Sequence, residues 1–168
     1  MIIFIQGKDY VQGSGTDYPW YSTGLVRDQD ITLVTINFRQ SFSGIAYVPD
    51  RGLDSGNFIL YDQNVAMQWV KRNIKYFGGD PDLITFAGQE TRAHAIGDHI
   101  NSPYSNGLFQ RVIMMSGPTN ILGSNNEAPD SEDLLIILER IAVKTRRTPC
   151  DAFKRFLPKK PSQPCPFT

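Results

Sequence analysis

The stretch FAGQETRAHAIG, at residues 86–97, has the layout of a turn that presents a catalytic nucleophile. A short apolar run leads into it and a helical pattern follows, as in the Gly-x-Ser-x-Gly turns that expose a serine above a parallel sheet. The five positions of the turn are Gly88, Gln89, Glu90, Thr91 and Arg92. Glutamate stands at the serine position and arginine at the second glycine, so the turn lacks the hydroxyl that serine-type acyl transfer requires.

A general base for this turn is also missing from the sequence. The two histidines, His94 and His99, both fall in the helical pattern directly after the turn, whereas the triad histidine follows far downstream. A carboxylate such as Glu90 can serve as a nucleophile, but no histidine stands ready to assist it. Thr91 and Ser116 face the same lack of a base. We therefore predict no catalytic residue in this chain, and we expect His94 at the surface.

Composition limits the other classes of function. The chain has 168 residues, 40% of them hydrophobic, and its 17 basic residues balance 17 acidic ones. One core can form, and no basic patch interleaved with aromatics predicts nucleic-acid binding. Cys150 and Cys165 lie in a Pro-rich segment, where they could close a small disulfide loop or remain free thiols. Neither cysteine has metal-ligand spacing with the histidines, so we predict no metal or other cofactor.

Membrane segments and export signals are not visible in the sequence. The opening residues MIIFIQG lack the basic and apolar regions of a signal peptide. No apolar run approaches the roughly 18 residues of a membrane span. If the protein is exported, we expect this sequence to be only part of the precursor.

Short apolar runs alternate with helical patterns, which predicts an α/β fold with a mostly parallel sheet flanked by helices. The runs are nearly continuous in apolar residues, so we expect strands buried on both faces. The predicted strands are Ile2–Ile5, Ile31–Phe38, Leu83–Ala87 and Arg111–Met115, and the predicted helices are Leu60–Tyr76, Arg92–Ile100 and Ser131–Val143. We expect one domain over residues 1–145, with Trp69 in its core, and a basic, Pro-rich tail at 146–168 that forms a loop or is weakly ordered.

Three stretches carry a resemblance to a known family: IQGKDYVQGSG, GNFILYDQNVAMQWVKRNIKYFGGDPDLITFAG and SPYSNGLFQRVIMMSG. Over about residues 1 to 120, and most specifically at FGGDP, the chain resembles the type B carboxylesterase and cholinesterase family. That family includes the adhesion proteins neuroligin, gliotactin and neurotactin. The resemblance implies an α/β-hydrolase fold, of which this chain looks like an N-terminal portion without the earliest strands.

The resemblance also identifies a second departure from catalysis. The family's oxyanion motif His-Gly-Gly-Gly-Phe is replaced by Gln6, Gly7, Lys8, Asp9 and Tyr10. Glycines there let the backbone approach the developing oxyanion, so we expect the hole to be distorted or filled. We further expect Arg92 to crowd the tight turn. His99 matches a histidine that the family commonly carries in this helix, which implies a structural role.

Other residues fit structural or binding roles. Gly78, Gly79 and Pro81 are predicted to form the turn into the third strand, and Asp62 and Arg39 are candidates for a buried or half-buried charged pair. Aromatic residues in a polar loop are typical of interface hot spots, although the loop could equally pack on its own domain. The candidate partner contacts are Tyr18, Trp20 and Tyr21.

Three hypotheses for the function follow. The first is a catalytically inactive carboxylesterase-like domain for protein recognition or cell adhesion, extracellular or at the cell surface by resemblance, with no membrane segment of its own. The second is an esterase or lipase-type carboxylic ester hydrolase whose catalytic parts are missing from this chain. The third is a degenerate truncated fragment, because the strand at 111–115 would leave an open sheet edge and the apolar helix near 134–143 would lack cover.

Overall fold

The computed structural model of the protein describes residues 1–7, 11–17, 19–45 and 57–117. At residues 19–23 and 42 it describes the backbone alone. Several sequence-based predictions lie outside these residues: the helix Ser131–Val143, the tail at 146–168, both cysteines, Lys8, Asp9, Tyr10 and Tyr18.

Four parallel strands form the sheet of the described chain. They are β1 (Ile2–Ile5), β2 (Leu33–Ile36), β3 (Thr85–Gln89) and β4 (Arg111–Met115), in the spatial order β2-β1-β3-β4. Ile5 at the end of β1 pairs with Gly88 of β3. The segments that follow β1 and β3 therefore begin side by side at the carboxyl edge of the sheet, where parallel α/β sheets place their sites.

Helices follow the strands as the alternating pattern predicts. They are α1 (Pro19–Gln29), α2 (Phe42–Ile45), α3 (Phe58–Asn73) and α4 (Thr91–Asn101), and short 3-10 turns extend α3 over Ile74–Phe77 and follow α4 at Pro103–Ser105. One compact unit contains the described residues of Met1–Ser41 and those from Ile59 onward. The described residues of a second unit are 42–45, 57 and 58, which include α2.

The core of the first unit lies between the sheet and its helices. Helix α3 buries residues spaced three or four apart, because only one face of a helix can meet the sheet. The fully buried side chains include Ile3, Ile5, Met67, Ile74, Ile84, Phe86 and Ile96. Phe86 also packs against Phe109, with ring centroids 5.6 Å apart. Strand β3 is thus anchored immediately before the turn that it presents.

The element boundaries agree with the predictions for β1 and β4 and shift elsewhere. Strand β2 is shorter than Ile31–Phe38, and β3 begins at Thr85, two residues after the predicted start. Helix α3 ends before Tyr76 because its last turn tightens, and Gly78 then adopts a left-handed conformation with φ 80°. Gly79 N–H bonds to the Ile74 carbonyl over 3.0 Å, which closes the predicted glycine turn.

Three placements contradict the sequence-based expectations. Trp69 is not in the core: it is 50% exposed, because it lies on the face of α3 opposite Met67 and Val70. Strand β4 is not buried on both faces, since it is the last strand of the described sheet and leaves Ile113 43% exposed. Trp20 lies in helix α1 rather than in a loop, as does Tyr21.

The predicted pair of Arg39 and Asp62 is present and half-buried. Asp62 Oδ1 accepts from Arg39 Nη2 over 2.6 Å, and Asp62 Oδ2 accepts from Arg39 Nε over 2.7 Å and from the Arg39 backbone N–H over 3.0 Å. The hydrogen bond with Asp62 is the main cause that raises the pKa of Arg39. This bidentate pair ties the segment after β2 to helix α3.

Candidate active site at the end of strand β3

Glu90 connects β3 to α4 with the backbone of a nucleophile turn. Its φ of 53° and ψ of −124° lie in a region that non-glycine residues rarely adopt and that is costly to hold. The Glu90 N–H donates to the Met115 carbonyl over 2.8 Å, and the Glu90 carbonyl accepts from Ala93 N–H over 2.9 Å. The residue at the tip of this strained turn is thus a glutamate, held by hydrogen bonds of its own backbone.

Close approach of backbones explains why this conformation persists. A Cβ added to Gly88 would lie 2.9 Å from Cβ of Arg92 and 3.0 Å from Cγ1 of Ile5. A Cβ on Gly117, just after β4, would overlap the Glu90 carbonyl oxygen and lie 2.7 Å from Cβ of Ala93. Strand, turn and helix meet here without room for side chains, and that packing holds Glu90 in its strained geometry.

Arg92, at the position of the second glycine, is completely buried. Its Nη2 donates to Gln40 Oε1 over 3.0 Å, and its guanidinium carbon lies 4.8 Å from the centre of the Phe38 ring. We expected this side chain to crowd the tight turn, but its guanidinium lies at Gln40 and Phe38. It runs away from Glu90 toward the segment after β2, where stacking on an aromatic ring suits a buried guanidinium.

The Arg92 guanidinium also lies directly against the segment that follows β1. A Cβ on Gly7 would overlap Arg92 Nη2 and lie 3.1 Å from its Cζ. Gly7 has a φ of 122°, and Gly13 packs against its Cα. Gln6 is buried, and its Oε1 has no hydrogen-bond partner among the residues that the structure describes. The space beside Gly7 is filled by Arg92, a residue that the expectation for this motif did not include.

The Glu90 carboxylate is exposed, and no side chain in the described part of the chain forms a hydrogen bond with it. His94, one helical turn further along, is half-buried rather than at the surface as predicted. Its Nδ1 is buried and has no hydrogen-bond partner within the described ranges. Ser116 is exposed with a φ of 55°, and no described histidine contacts it. Among the described residues, neither Glu90 nor Ser116 is therefore hydrogen-bonded to a histidine that could act as a base.

His99 is buried in a hydrogen-bonded network away from the turn. Its Nδ1 accepts from the Ser105 hydroxyl over 2.8 Å, and its Nε2–H donates to Gln63 Oε1 over 3.1 Å. This tautomer follows from the network, because Asn64 Nδ2 donates to the same Ser105 oxygen and Gln63 Oε1 can only accept. Burial lowers the pKa of His99 to about 4. The histidine joins α4 to α3, a structural role.

Other parts of the site prediction have separate outcomes. Among the described residues, no cluster of three or more potential ligands could hold a metal ion, and no helix is both long and apolar enough to cross a membrane. Trp20 and Tyr21 contribute backbone to α1, and the prediction that they contact a partner remains open. Sequence reasoning missed Phe38, Gln40 and Gly117, whose neighbours lie far away in the chain, and Gly13, which packs against Gly7. In the sequence, the glycines of QGSG at 12–15 and of SG at 116–117 were the signals that could have indicated close backbone packing.

Comparison with known proteins identifies relatives of this chain. The profile of the Carboxylesterase family matches residues 1–161. An acetylcholinesterase of Gallus gallus is 35% identical over 120 residues, covering 71% of this chain and 16% of the relative. The neuroligin-like protein glit-1 of Caenorhabditis elegans is 36% identical over 117 residues, covering 70% of this chain and 15% of the relative.

Solved structures show the same architecture. The carboxylesterase EST55 of Geobacillus stearothermophilus superposes with a TM-score of 0.68 at 33% identity. The superposition covers 92% of this chain and 32% of the esterase. The fold is therefore that of the α/β-hydrolase esterases, and this chain spans about a sixth of the two relatives named above and about a third of the solved esterase.

Proposed function

This chain belongs to the carboxylesterase family, and from that premise we propose that it is a catalytically inactive member whose role is to recognise another protein. The observation that carries this proposal is Glu90 in the strained backbone of the turn, with an exposed carboxylate and no base hydrogen-bonded to it among the described residues. The turn is retained as a structural element, but it presents a carboxylate where serine-type acyl transfer needs a hydroxyl.

The chemistry of a carboxylate supports inactivity. Attack of Glu90 on an ester would produce a mixed anhydride and expel an alkoxide, which is a far stronger base than the carboxylate. The tetrahedral intermediate would therefore eject Glu90 rather than the alcohol, unless a general acid protonated the leaving group. His99 cannot be that acid, because the hydrogen bonds with Ser105 and Gln63 occupy both of its nitrogens.

Arg92 adds a second obstacle. An oxyanion hole works through backbone N–H groups that approach a developing charge closely, which is why glycines are favoured there. The guanidinium beside Gly7 fills space that a glycine at position 92 would leave empty. Replacing Glu90 with serine alone would therefore leave the Arg92 guanidinium in the space beside Gly7, where an oxyanion hole would form.

Similarity to the neuroligin-like relative supports the recognition role. We propose that the protein performs this role outside the cell or at its surface. The candidate contacts are the aromatic side chains of Tyr18, Trp20 and Tyr21, a residue type that often carries binding energy at interfaces. Protein recognition needs only a stable surface, so it is compatible with a turn that has no catalytic nucleophile.

Ester hydrolysis is the second candidate, and one observation favours it. Strained backbone is usually retained where a function uses it, and Glu90 keeps both the φ and the ψ of a presented nucleophile. In this candidate the acid and the histidine would be supplied by sequence outside this chain. The tight packing around Gly88 and Gly117 gives a structural reason for the same strain, so we favour the inactive form.

Binding of the labelled protein to cells of its own source tests the recognition proposal. We expect saturable binding that Trp20→Ala weakens by about thirtyfold, because truncating a large aromatic anchor commonly costs about 2 kcal/mol or more. Leu25→Ala, at an exposed position of the same helix, is the matched control and should bind normally. Unchanged binding of Trp20→Ala would remove this contact, and a lack of saturable binding would contradict a recognition role.

A further inference from the structure

Helix α3 carries exposed apolar side chains along the face that points away from the sheet. Tyr61, Val65 and Trp69 follow one another at intervals of four residues, so they lie on one side of the helix. Tyr76 and Phe77 extend the row beyond the helix end, and the Phe77 ring centroid is 6.1 Å from that of Trp69. We call these five residues the α3 stripe.

The α3 stripe is unusual because the opposite face of the helix is already buried in the core. Ile59, Met67 and Val70 are buried, and Met67 and Val70 belong to the core formed with the strands, which is all that an amphipathic surface helix needs. Single exposed apolar residues are common, but from Tyr61 to Phe77 the stripe runs about 24 Å along the helix axis. Phe77 is 65% exposed and Tyr61 is 64% exposed, so large parts of both rings are open to solvent. A continuous patch of this kind marks an interaction surface.

The charges beside the helical part of the stripe that have no ion-pair partner among the described residues are positive. Arg72 and Lys75 are exposed beside it, and Lys75 Nζ lies 5.0 Å from the centre of the Tyr76 ring. The single acidic residue of residues 58–77 is Asp62, and Arg39 neutralises it through two side-chain hydrogen bonds. Lys71 is already paired with Asp82 over 3.2 Å. Beside the helix the charge left for a partner is therefore positive, contributed by Arg72 and Lys75, and one exposed carboxylate, Asp80, lies three residues beyond Phe77.

We infer that the α3 stripe binds an amphipathic helix of a partner protein whose apolar face is bordered by acidic side chains. The stripe has the width of one helix and the length of about four turns, which suits a helix packed along α3. Apolar anchors of the partner would cover Trp69 and Phe77, and its carboxylates would meet Arg72 and Lys75. The inference names a partner class for the recognition function proposed above and rests on it.

A designed peptide pair tests the inference in vitro. The probe is a fluorescent 18-residue amphipathic helix with leucines on one face and glutamates on its borders, and its mate carries lysine at each glutamate position. We expect saturable anisotropy changes with the acidic probe and binding weaker by about tenfold or more with the basic one. Trp69→Ser should weaken the acidic probe by about thirtyfold, the loss typical of a central aromatic anchor.

Charge reversal supplies the sharpest control. The double variant Arg72→Glu with Lys75→Glu should lose the acidic probe and gain the basic one, whereas Arg27→Glu, exposed on α1, should leave both affinities unchanged. Equal affinity for the two probes, or none for either, would overturn the inference. Self-association that Trp69→Ser abolishes would also overturn it, because the occupant would then be a second copy of the chain.

The cell-binding assay separates this inference from the function on which it rests. Loss of cell binding in Trp69→Ser, with the Tyr104→Ser variant at another exposed aromatic as control, supports the stripe. Cell binding that survives in Trp69→Ser overturns the stripe and leaves the recognition function standing. A wild-type protein that binds no cells but still prefers the acidic probe supports the stripe as a surface and overturns the proposed function.

Discussion

Replacing Arg92 with alanine is expected to lower the free energy of unfolding by about 3 to 5 kcal/mol, the range found when large buried side chains are truncated. Arg92 is completely buried, stacks on Phe38 and donates to Gln40. Its removal leaves a cavity beside Gly7 and takes one hydrogen-bond donor away from the amide oxygen of Gln40. Urea unfolding followed by circular dichroism measures the loss.

Arg27→Ala is the matched control for this substitution. Arg27 is also a helical arginine, but its side chain is 78% exposed and its partner is the adjacent Asp28. Exposed pairs of this kind contribute little, so its unfolding curve should overlay that of the wild type within about 0.5 kcal/mol. An Arg92→Ala variant as stable as Arg27→Ala would show that the arginine is not needed to fill the space beside Gly7.

The free energy of unfolding should fall as the pH drops from about 6.5 to about 4. The first value is the ordinary pKa of histidine, and the second is the pKa of His99 in the folded protein. Above pH 6.5 the imidazole is neutral in both states, and its contribution is fully present. As the pH falls, the unfolded chain takes up the proton first, because burial disfavours the charged ring. The contribution lost across this window is about 3 kcal/mol, since one pKa unit corresponds to 1.36 kcal/mol.

The two histidine variants isolate this effect. His99→Gln should be less stable at pH 7 and should lack most of the fall between pH 6.5 and 4, measured as the slope of unfolding free energy against pH. His94→Gln keeps His99 and should keep the fall. A wild type and a His99→Gln variant with parallel pH profiles would contradict a buried, neutral His99.

The fold could be predicted from the sequence because its signals are local. Apolar runs bounded by turn residues located all four strands, and two of them match the observed bounds. The glycine at position 88 and the helical pattern after position 91 were enough to predict a strand, a tight turn and a helix. Strand pairing then aligned Ile5 with Gly88 and assembled the site.

The misplaced residues depended on distant neighbours. Periodicity gives the face on which Trp69 lies but not whether another element covers that face. The direction taken by Arg92 depends on Phe38 and Gln40, more than fifty residues earlier in the chain. The exposure of β4 depends on whether a fifth strand lies beside it, which its own apolar sequence cannot indicate.

The function we propose requires that this protein keep the nucleophile turn without its acyl-transfer chemistry. The most direct measurement is intact-mass spectrometry of the longest natural form of the protein after incubation with a fluorophosphonate, with an active carboxylesterase treated in parallel. We predict no change in mass for this protein and full modification of the esterase. A stoichiometric adduct that maps to Glu90, Thr91 or Ser116 would contradict the claim and establish a working nucleophile.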